Sequence, residues 1–579
     1  MALKVVIVGA VAAGPKAACR IKRLEPTAKV LMVDADEFVA YAGCGIPFYV
    51  SGDVPELSGL LSTSFHMVRD PQFFKGAKGV DVLTRTRALE IDRKAKAVTL
   101  EDLSTGRKWA EPYDKLVLAT GSEPLIPPIK GLEAQGVVPM ANLHHAQMVR
   151  EALARGELER VAIIGAGPTG LEMAEALSEM WGVEVWIYEQ ASQPLPGVLD
   201  EEIGAMVANH LRSQEGIHLE LGARVEMVEA GEDGRVKAVV SEGGRQEVDM
   251  VILATGVRPN VALARAAGLE IAGTGGIVVD EYMRTSDPDI FAAGDCASPV
   301  SLITGQRVWM PSGSLANREG RVVGTNVCGG RARFPGVVGS FCIKLFGLGV
   351  ACAGLTEKGA RDQGMDVVAP LVVQADRAHF HPDMALMYMK MVVERSTRRV
   401  VGIVALGTNG DAVVGRVGAV AGLMAKGATL EDISNLELPY SPPLGAALDI
   451  VNATANTAEN MLKGKLRAIG PEQFSRLLAQ RHKGEVAFVD VRAIGNAAPY
   501  LKALAPHWMH FPQEKLTELI PKLPRDKTLV LICNSGVRSY EAQVMLDAAG
   551  IHNTYNLAGG VAAAKMWGEP ILPQGEDDE

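Results

Sequence analysis

Val161-Ala162-Ile163-Ile164-Gly165-Ala166-Gly167-Pro168-Thr169-Gly170 is the stretch whose reading decides the fold. An apolar run breaks into a GxGxxG turn, then leads into a helical segment, Leu171 to Met180, and a strand-like run, Glu184 to Glu189. Glycines so spaced allow a tight turn, approach of a pyrophosphate to the backbone, and close packing of helix on strand. The pyrophosphate then rests on the helix N-terminus. Glu189 stands 19 residues past the third glycine, where a carboxylate meets ribose hydroxyls. Gln190 and Ala191 follow it, with no arginine for a 2′-phosphate. Gly165, Gly167, Gly170 and Glu189 are therefore expected to hold NADH in preference to NADPH.

A degenerate copy opens the chain. Val5 to Val8 run into Gly9-Ala10-Val11-Ala12-Ala13-Gly14-Pro15 and a helix to Leu24, with Val11 in place of the middle glycine. Pro15 suits a first helical turn, where its missing N–H costs nothing. Asp34, ending the run Val30 to Asp34, lies 20 residues beyond Gly14, again at the ribose position. Alone this turn is a weak signal; the intact second copy gives it weight. Leu116-Val117-Leu118-Ala119-Thr120-Gly121 and Val251-Ile252-Leu253-Ala254-Thr255-Gly256 form a matched pair of closing strands. Two nucleotide domains follow, the second inserted into the first. Return to the first is marked by Thr285 to Asp295, which puts a carboxylate at a strand end beside Gly294. Asp295 there either bonds the ribityl and pyrophosphate region of a flavin or caps a helix. Two Rossmann units with this Gly-Asp pair are the pattern of two-dinucleotide flavoproteins, FAD in the first and NAD(P)H in the second.

Ten residues beyond Asp34, Tyr41-Ala42-Gly43-Cys44-Gly45-Ile46-Pro47-Phe48 presents one cysteine with no second within a few residues. An internal CxxC or CxxxxC disulfide is excluded. Cys44 is either a buried, inert side chain or a lone thiolate that attacks sulfur. Its place after a nucleotide fold favours the second.

The 579 residues suggest three or four domains, at roughly one per 150 residues. A net charge of −10 argues against a general nucleic-acid or membrane-surface binder. Seven scattered cysteines do not resemble a disulfide framework. No signal-peptide pattern and no apolar run of about 18 residues occur, so the expectation is a soluble cytoplasmic protein in a reducing environment.

Glycine fingerprints stop near Arg333. Phe341 to Phe346, Met387 to Val392 and Val400 to Val404 alternate as strands before a helix, reading as an α+β dimerisation domain over 333–456 that ends in the stiff Leu438-Pro439-Tyr440-Ser441-Pro442-Pro443. Residues 457–467 read as a helical linker. A small α/β module over 468–574 carries Asp490-Val491-Arg492 at one strand end and Cys533-Asn534-Ser535-Gly536-Val537-Arg538 at another. A cysteine at a strand–helix junction is cradled by backbone N–H groups that lower its pKa, and Arg538 adds positive charge. The fold class is thus α/β: a FAD domain over 1–150 and 275–332, a NAD domain over 151–274, then the dimerisation and C-terminal modules. Gly575 to Glu579 read as a solvated acidic tail.

Residues 1 to about 455 resemble the single-cysteine flavoprotein disulfide reductases, in the coenzyme A disulfide reductase branch. The resemblance rests on Gly9 to Gly14, Cys44 to Phe48, Gly165 to Gly170, Thr285 to Asp295, Ala316 to Arg321 and Pro439 to Pro443. Residues 468–574 resemble a rhodanese through Asp490 to Arg492, Cys533 to Arg538 and Asn556 to Gly560. The fusion's members include coenzyme A disulfide reductases and NADH-dependent persulfide or polysulfide reductases. The resemblance implies a homodimer with FAD, NADH and coenzyme A as ligands, with persulfide, polysulfide or coenzyme A thiol as substrate. It makes Cys44 the redox thiol and Cys533 a sulfur carrier, and it assigns Arg20, Arg23, Asn317 and Arg321 to coenzyme A. Val82, Gly121 and Gly256 complete the cofactor set. Tyr440 matches one of two tyrosines that finish the family's site across the dimer. The other falls near His381, either a hydrogen-bond donor or an ordinary surface histidine. The family's serine and asparagine before the cysteine are replaced by Ala40 and Gly43. Val11 to Ala13 hold no histidine, which argues against peroxide chemistry. Asn534 replaces the rhodanese's usual basic residue.

Overall fold

The run Lys4–Val8 lies at the centre of a five-stranded parallel sheet in the computed structural model, which describes residues 2–572. Its order is Ile290–Ala292, Lys115–Leu118, Lys4–Val8, Lys29–Val33, Asp81–Leu83, with Ile7 level with both Met32 and Val117. Parallel neighbours need a crossover, and the helix Ala13–Leu24 supplies it. Its Ala13, Ala17, Ala18 and Ile21 repeat at helical spacing and bury one face. A second parallel sheet repeats the plan: Ile217–Leu221, Glu184–Glu189, Arg160–Ile164, Met250–Leu253, Val137–Pro139. Strands Ser122–Pro124 and Val257–Pro259 pair antiparallel, so the two closing turns are tied to each other. Both sheets read as continuous apolar runs because both faces are covered.

The chain divides into two compact units, one of residues up to 190 with 216–337, the other of 191–215 with residues from 338 onward. The helix Glu201–Arg212, inside the expected NAD domain, thus packs with the second unit. That unit contains an antiparallel sheet in the order Phe341–Leu345, Leu348–Gly354, Val400–Gly407, Leu386–Glu394, Val367–Val368, with Leu371–Ala375 also on Leu386–Glu394. Every residue of Val400–Gly407 is buried. The helix Ile450–Leu462 packs on this sheet through Val451, Ala455 and Ala458 and runs unbroken through the boundary expected at 456. Small residues there serve a close helix–sheet contact, which composition alone reads as a linker. A further parallel sheet follows: Ala468–Ile469, Thr554–Leu557, Thr528–Ile532, Val486–Asp490, Trp508–His510. The tail from Gly575 lies outside the described residues, among which no helix is long and apolar enough to cross a membrane.

One buried cation organises the second unit. Lys390 Nζ, on the interior strand Leu386–Glu394, lies 2.8 Å from Glu357 Oε2, 3.0 Å from Glu202 Oε2 and 3.7 Å from Asp200 Oδ1. The three acids together hold its ammonium well above the ordinary lysine range despite burial. Removing one partner of a buried ion pair strands the others. Lys390→Met is expected to destabilise the second unit by about 3–5 kcal/mol, read as a lower urea-unfolding midpoint. The loss should shrink as acid neutralises the three carboxylates. An unchanged midpoint would mean that solvent already carries these charges.

Candidate active site

The two glycine turns share one construction. At Gly9, φ is +104° and a Cβ would fall 2.0 Å from the Ala119 carbonyl oxygen; at Gly165, φ is +110° and the distance to Ala254 oxygen is 2.4 Å. A Cβ on Gly14 would fall 1.9 Å from Gly9 oxygen, and one on Gly170 2.1 Å from Gly165 oxygen. These four glycines are demanded by packing. Gly167 is different: a Cβ there would meet only Ala254 oxygen at 4.0 Å, so its bare backbone leaves open space for a ligand. Each turn is braced by its acid. Asp34 Oδ2 accepts the Ala10 N–H at 2.7 Å, and Glu189 Oε2 accepts the Ala166 N–H at 3.0 Å. Gly121 and Gly256 take positive φ where the closing strands turn.

Asp34, with Asp36, Glu37, Arg85 and His144, lines a cavity of about 440 Å³. Burial pushes the Asp34 carboxyl up. Val82 sits on the edge strand beside this cavity's sheet, level with Met32. A carboxylate-lined cavity next to a helix N-terminus whose turn has no room for side chains fits the adenosine and phosphate parts of a dinucleotide. The second turn, with Gly167 open and Glu189 behind it, fits another. Glu189, Gln190 and Ala191 bring no cation to it.

Cys44 lies in the single 3-10 turn Gly43–Gly45 before the helix Ile46–Ser51. The Ala40 N–H donates to Ala10 oxygen at 2.7 Å, which ties this segment to the first glycine turn, and Ala40 takes an uncommon φ of +53° to do so. A side chain at 43 would meet only the Tyr41 ring, at 3.7 Å, so Gly43 leaves space beside the thiol. The helix Gly313–Val327 starts at Cys44: a Cβ on Gly313 would be 3.7 Å from Sγ. Asp295 joins them, its Oδ1 accepting the Ser312 N–H at 3.3 Å and its Oδ2 the Ser122 hydroxyl at 3.0 Å. From the other side, Trp181 Nε1 and Arg150 Nη1 both donate to Val50 oxygen, at 3.0 and 3.2 Å, holding the Cys44 helix against the second nucleotide domain.

The expected thiolate is not what the protein alone favours. Burial, then the carboxyls of Glu172 and Asp295, push the Cys44 thiol up although the residue is accessible. Glu172, on the helix Pro168–Trp181, escaped the sequence reading, though an acid two residues past the third glycine was a visible signal. Burial and Glu175 raise its own carboxyl to about 7.

Arg20, Arg23, Asn317 and Arg321 are carried by two helices in close contact, with Gly320 against Ala13 and Gly324 against Ala17 and Arg20. Arg20 Nε is engaged by Thr325 Oγ1 at 3.0 Å, whereas Arg23, Asn317 and Arg321 are exposed.

In the second unit, Tyr440 is exposed on an irregular segment whose Pro442 oxygen accepts the Ala378 N–H at 3.2 Å, so the turn bearing His381 lies against it. Phe380 and Leu444 are exposed nearby in sequence, at 70% and 74%. Cys533 is buried beneath its loop, with Sγ accepting the Gly536 N–H at 3.1 Å and lying 3.2 Å from Ser539 Oγ. Asn556 holds the loop from below, donating to Gly536 oxygen and accepting from Ser539. Gly560 must lack a side chain because a Cβ would fall 2.4 Å from the carbonyls of Cys533 and Asn534. Arg492 is wholly buried, paired with Asp490, stacked 4.3 Å over Tyr500, and bonded to Asn534 Oδ1 at 3.2 Å. Arg538 is half-buried at the start of the following helix.

Residues 3–320 match the pyridine nucleotide-disulphide oxidoreductases, 341–450 their dimerisation domain, and 473–566 the rhodanese-like domain. The chain belongs to the pyridine nucleotide-disulphide oxidoreductase family, in the form that carries a C-terminal rhodanese-like domain. It is similar to the NAD(P)H sulfur oxidoreductase (CoA-dependent) of Pyrococcus abyssi, 34% identical over 77% of this chain and 96% of the relative. Among solved structures, it matches a NAD-dependent persulfide reductase from A. fulgidus at 38% identity, covering 97% of this chain and 100% of that one with a TM-score of 0.89. A reduced CoADR-RHD from Bacillus anthracis matches at 28% identity over 98% of each chain, also with a TM-score of 0.89.

Since Glu172 helps to raise the Cys44 thiol, Glu172→Gln is expected to move alkylation of Cys44 by iodoacetamide to lower pH. The rate at about pH 8, followed on the Cys44 peptide by mass spectrometry, should rise roughly two- to fivefold. Superimposable profiles would show that the two groups do not communicate.

Proposed function

We propose that this chain is an NADH- and FAD-dependent reductase of persulfides and polysulfides, coenzyme A persulfide included, coupled to a rhodanese sulfur carrier. The observation that carries it is the placement of the lone thiol of Cys44 at the start of the helix Gly313–Val327, beside Asp295 and next to the first of two dinucleotide turns. In this reading, residues 1–150 with 275–332 hold FAD through Gly9, Gly14, Asp34, Val82, Gly121 and Asp295. Residues 151–274 hold NADH through Gly165, Gly167, Gly170, Glu189 and Gly256. FAD, when bound, supplies a carrier that takes hydride from NADH and returns an electron pair to sulfur. Overall, NADH, a proton and RSSH become NAD⁺, RSH and H₂S.

The chain's own part is nucleophilic. The Cys44 thiolate attacks the outer sulfur of RSSH, expelling RS⁻ and keeping the sulfane sulfur as a Cys44 persulfide; two electrons and a proton then release it as H₂S and restore the thiolate. The small Ala40 and the open side of Gly43 leave room for a substrate sulfur. Arg20, Arg23, Asn317 and Arg321 are the positions for the phosphate-bearing end of a coenzyme A substrate, suited by charge or hydrogen bonding to anionic oxygens. Residues 333–456 would form a homodimer, supported by the exposed Phe380, Tyr440 and Leu444, with Tyr440 and His381 as donors completing the partner's site. Residues 457–467 would link this domain to a rhodanese domain over 468–574. There Cys533 would carry sulfane sulfur, held by the Gly536 N–H with Arg538 at the rim. Seven free cysteines support a reducing, cytoplasmic setting. The full-length likeness to a CoADR-RHD favours coenzyme A disulfide as a second substrate.

Anaerobic NADH oxidation with polysulfide, coenzyme A persulfide and coenzyme A disulfide separates these readings. Sulfane donors should turn over faster than the disulfide. Cys44→Ser should abolish turnover, while Cys533→Ser should lose only the donors that load the rhodanese domain. Wild-type rates in Cys44→Ser would sink the assignment.

A further inference from the structure

The helix Gly313–Val327 has Cys44 at its start and, at its far end, a cavity that no step of the proposed reaction uses. That cavity measures about 240 Å³ and is lined by Tyr282, Arg284, Phe291, Asn326, Gly330 and Arg331. The helix has 15 residues, which at about 1.5 Å each put roughly 20 Å between the cavity and the thiol.

The walls are braced without a ligand. Asp280 holds Arg284 at two atoms: Oδ1 accepts the Arg284 backbone N–H at 2.9 Å, and Oδ2 accepts from its Nε at 2.9 Å. The same Oδ1 accepts the Tyr282 N–H at 2.9 Å. The Arg284 guanidinium then lies over the Tyr282 ring, 5.0 Å from its centre. Its backbone bridges antiparallel to Phe291, a buried residue of the edge strand Ile290–Ala292. On the helix side, Asn326 Nδ2 donates to the Tyr282 and Ala332 carbonyls at 2.9 and 2.8 Å, while Oδ1 accepts the Ala332 N–H at 2.7 Å. Gly330 turns the chain tightly against Thr325, where a Cβ would fall 2.7 Å from the carbonyl oxygen. One asparagine thus ties the helix end to both segments that carry the arginines.

Charge in this cradle does not balance. Asp280 engages Arg284 through Nε, which leaves the two Nη groups to the cavity. Glu281 is taken by Arg333, which does not line the cavity. Arg331 has neither an acid nor a hydrogen-bond partner among the described residues. In a chain of net charge −10, an unpaired guanidinium beside a second one is a local positive excess. Guanidinium forks match the oxygens of phosphate, and two of them favour a dianion over a monoanion such as chloride. The volume equals the share of about eight waters, room for such an anion with part of its carrier.

We propose that this cavity is a binding site for a phosphate-class dianion, held between Arg284 and Arg331 beside the Tyr282 and Phe291 rings. Two sources offer that chemistry. One is free inorganic phosphate. The other is the ribose 3′-phosphate of coenzyme A, because Thr325 packs on Gly330 and also engages Arg20, one of the coenzyme A positions. The second source rests on the coenzyme A reading, whereas the site itself does not.

Isothermal titration of the full-length protein with inorganic phosphate, at about pH 8 and against sodium chloride of equal ionic strength, tests the site. Wild type is expected to bind saturably. Arg331→Gln and Arg284→Gln should each weaken binding about tenfold or more. Arg333→Gln removes the same charge outside the cavity and should stay within about twofold of wild type. Arg331 is exposed and unpaired, so its replacement leaves the fold intact. Displacement of phosphate by coenzyme A but not by dephospho-coenzyme A supports the site with the 3′-phosphate as its ligand; displacement by neither supports it with the free anion. Heat no greater than the chloride control, or the same affinity in Arg331→Gln as in wild type, would overturn the proposal. Failure of coenzyme A to bind anywhere would overturn only the coenzyme A reading.

Discussion

Absence of side-chain volume at two strand-to-helix turns is the constraint on which the rest of the first unit depends. Gly9 with Gly14, and Gly165 with Gly170, bring each helix so close to its strand that a single methyl would fall 1.9–2.4 Å from a backbone carbonyl oxygen, well inside contact distance. That approach aims each helix N-terminus, with its unsatisfied N–H groups, at the space above the sheet. The acids at the next strand ends, Asp34 and Glu189, then bond the N–H of Ala10 and Ala166. Turn shape and the placement of each acid are thereby set by one contact in each copy.

Around Cys44, opposing electrostatic influences meet. The N-terminus of the helix Gly313–Val327 favours a thiolate, by an amount of order 0.3–1 kcal/mol, rising to about 2 in partly buried geometry. Burial and the carboxyls of Glu172 and Asp295 act the other way. No side-chain cation stands among the groups that shift this thiol, and the net push on it is upward, away from the thiolate. The Cys533 sulfur is enclosed by its own loop and receives the Gly536 N–H.

Buried charge in the second unit is compensated locally. Lys390 answers three acids, and Arg492 is paired with Asp490, capped by Asn534 and stacked on Tyr500. Asn534 thus places its carbonyl on the Arg492 guanidinium, and Arg538 stands at the start of the following helix.

Much of this was legible in local sequence because the signals are steric and short-range. A glycine that must accept a carbonyl at contact distance cannot be another residue, so the two turns, their acids, the Gly294-Asp295 return and both lone cysteines stand out within a few tens of residues. The start and length of the helix over 450–462 were not legible because alanine, threonine and asparagine signal little until a sheet is there to pack against. Glu172 was missed for a related reason. It is an ordinary acid on an amphipathic helix, and only burial against a distant segment changes its chemistry. By itself the sequence determined the number of nucleotide units and the order of the domains, since those follow from backbone sterics and residue type. Only the tertiary structure decided which carboxyls surround Cys44 and what neutralises Lys390 and Arg492. Desolvation and charge coupling depend on through-space distance, which residue order does not encode locally.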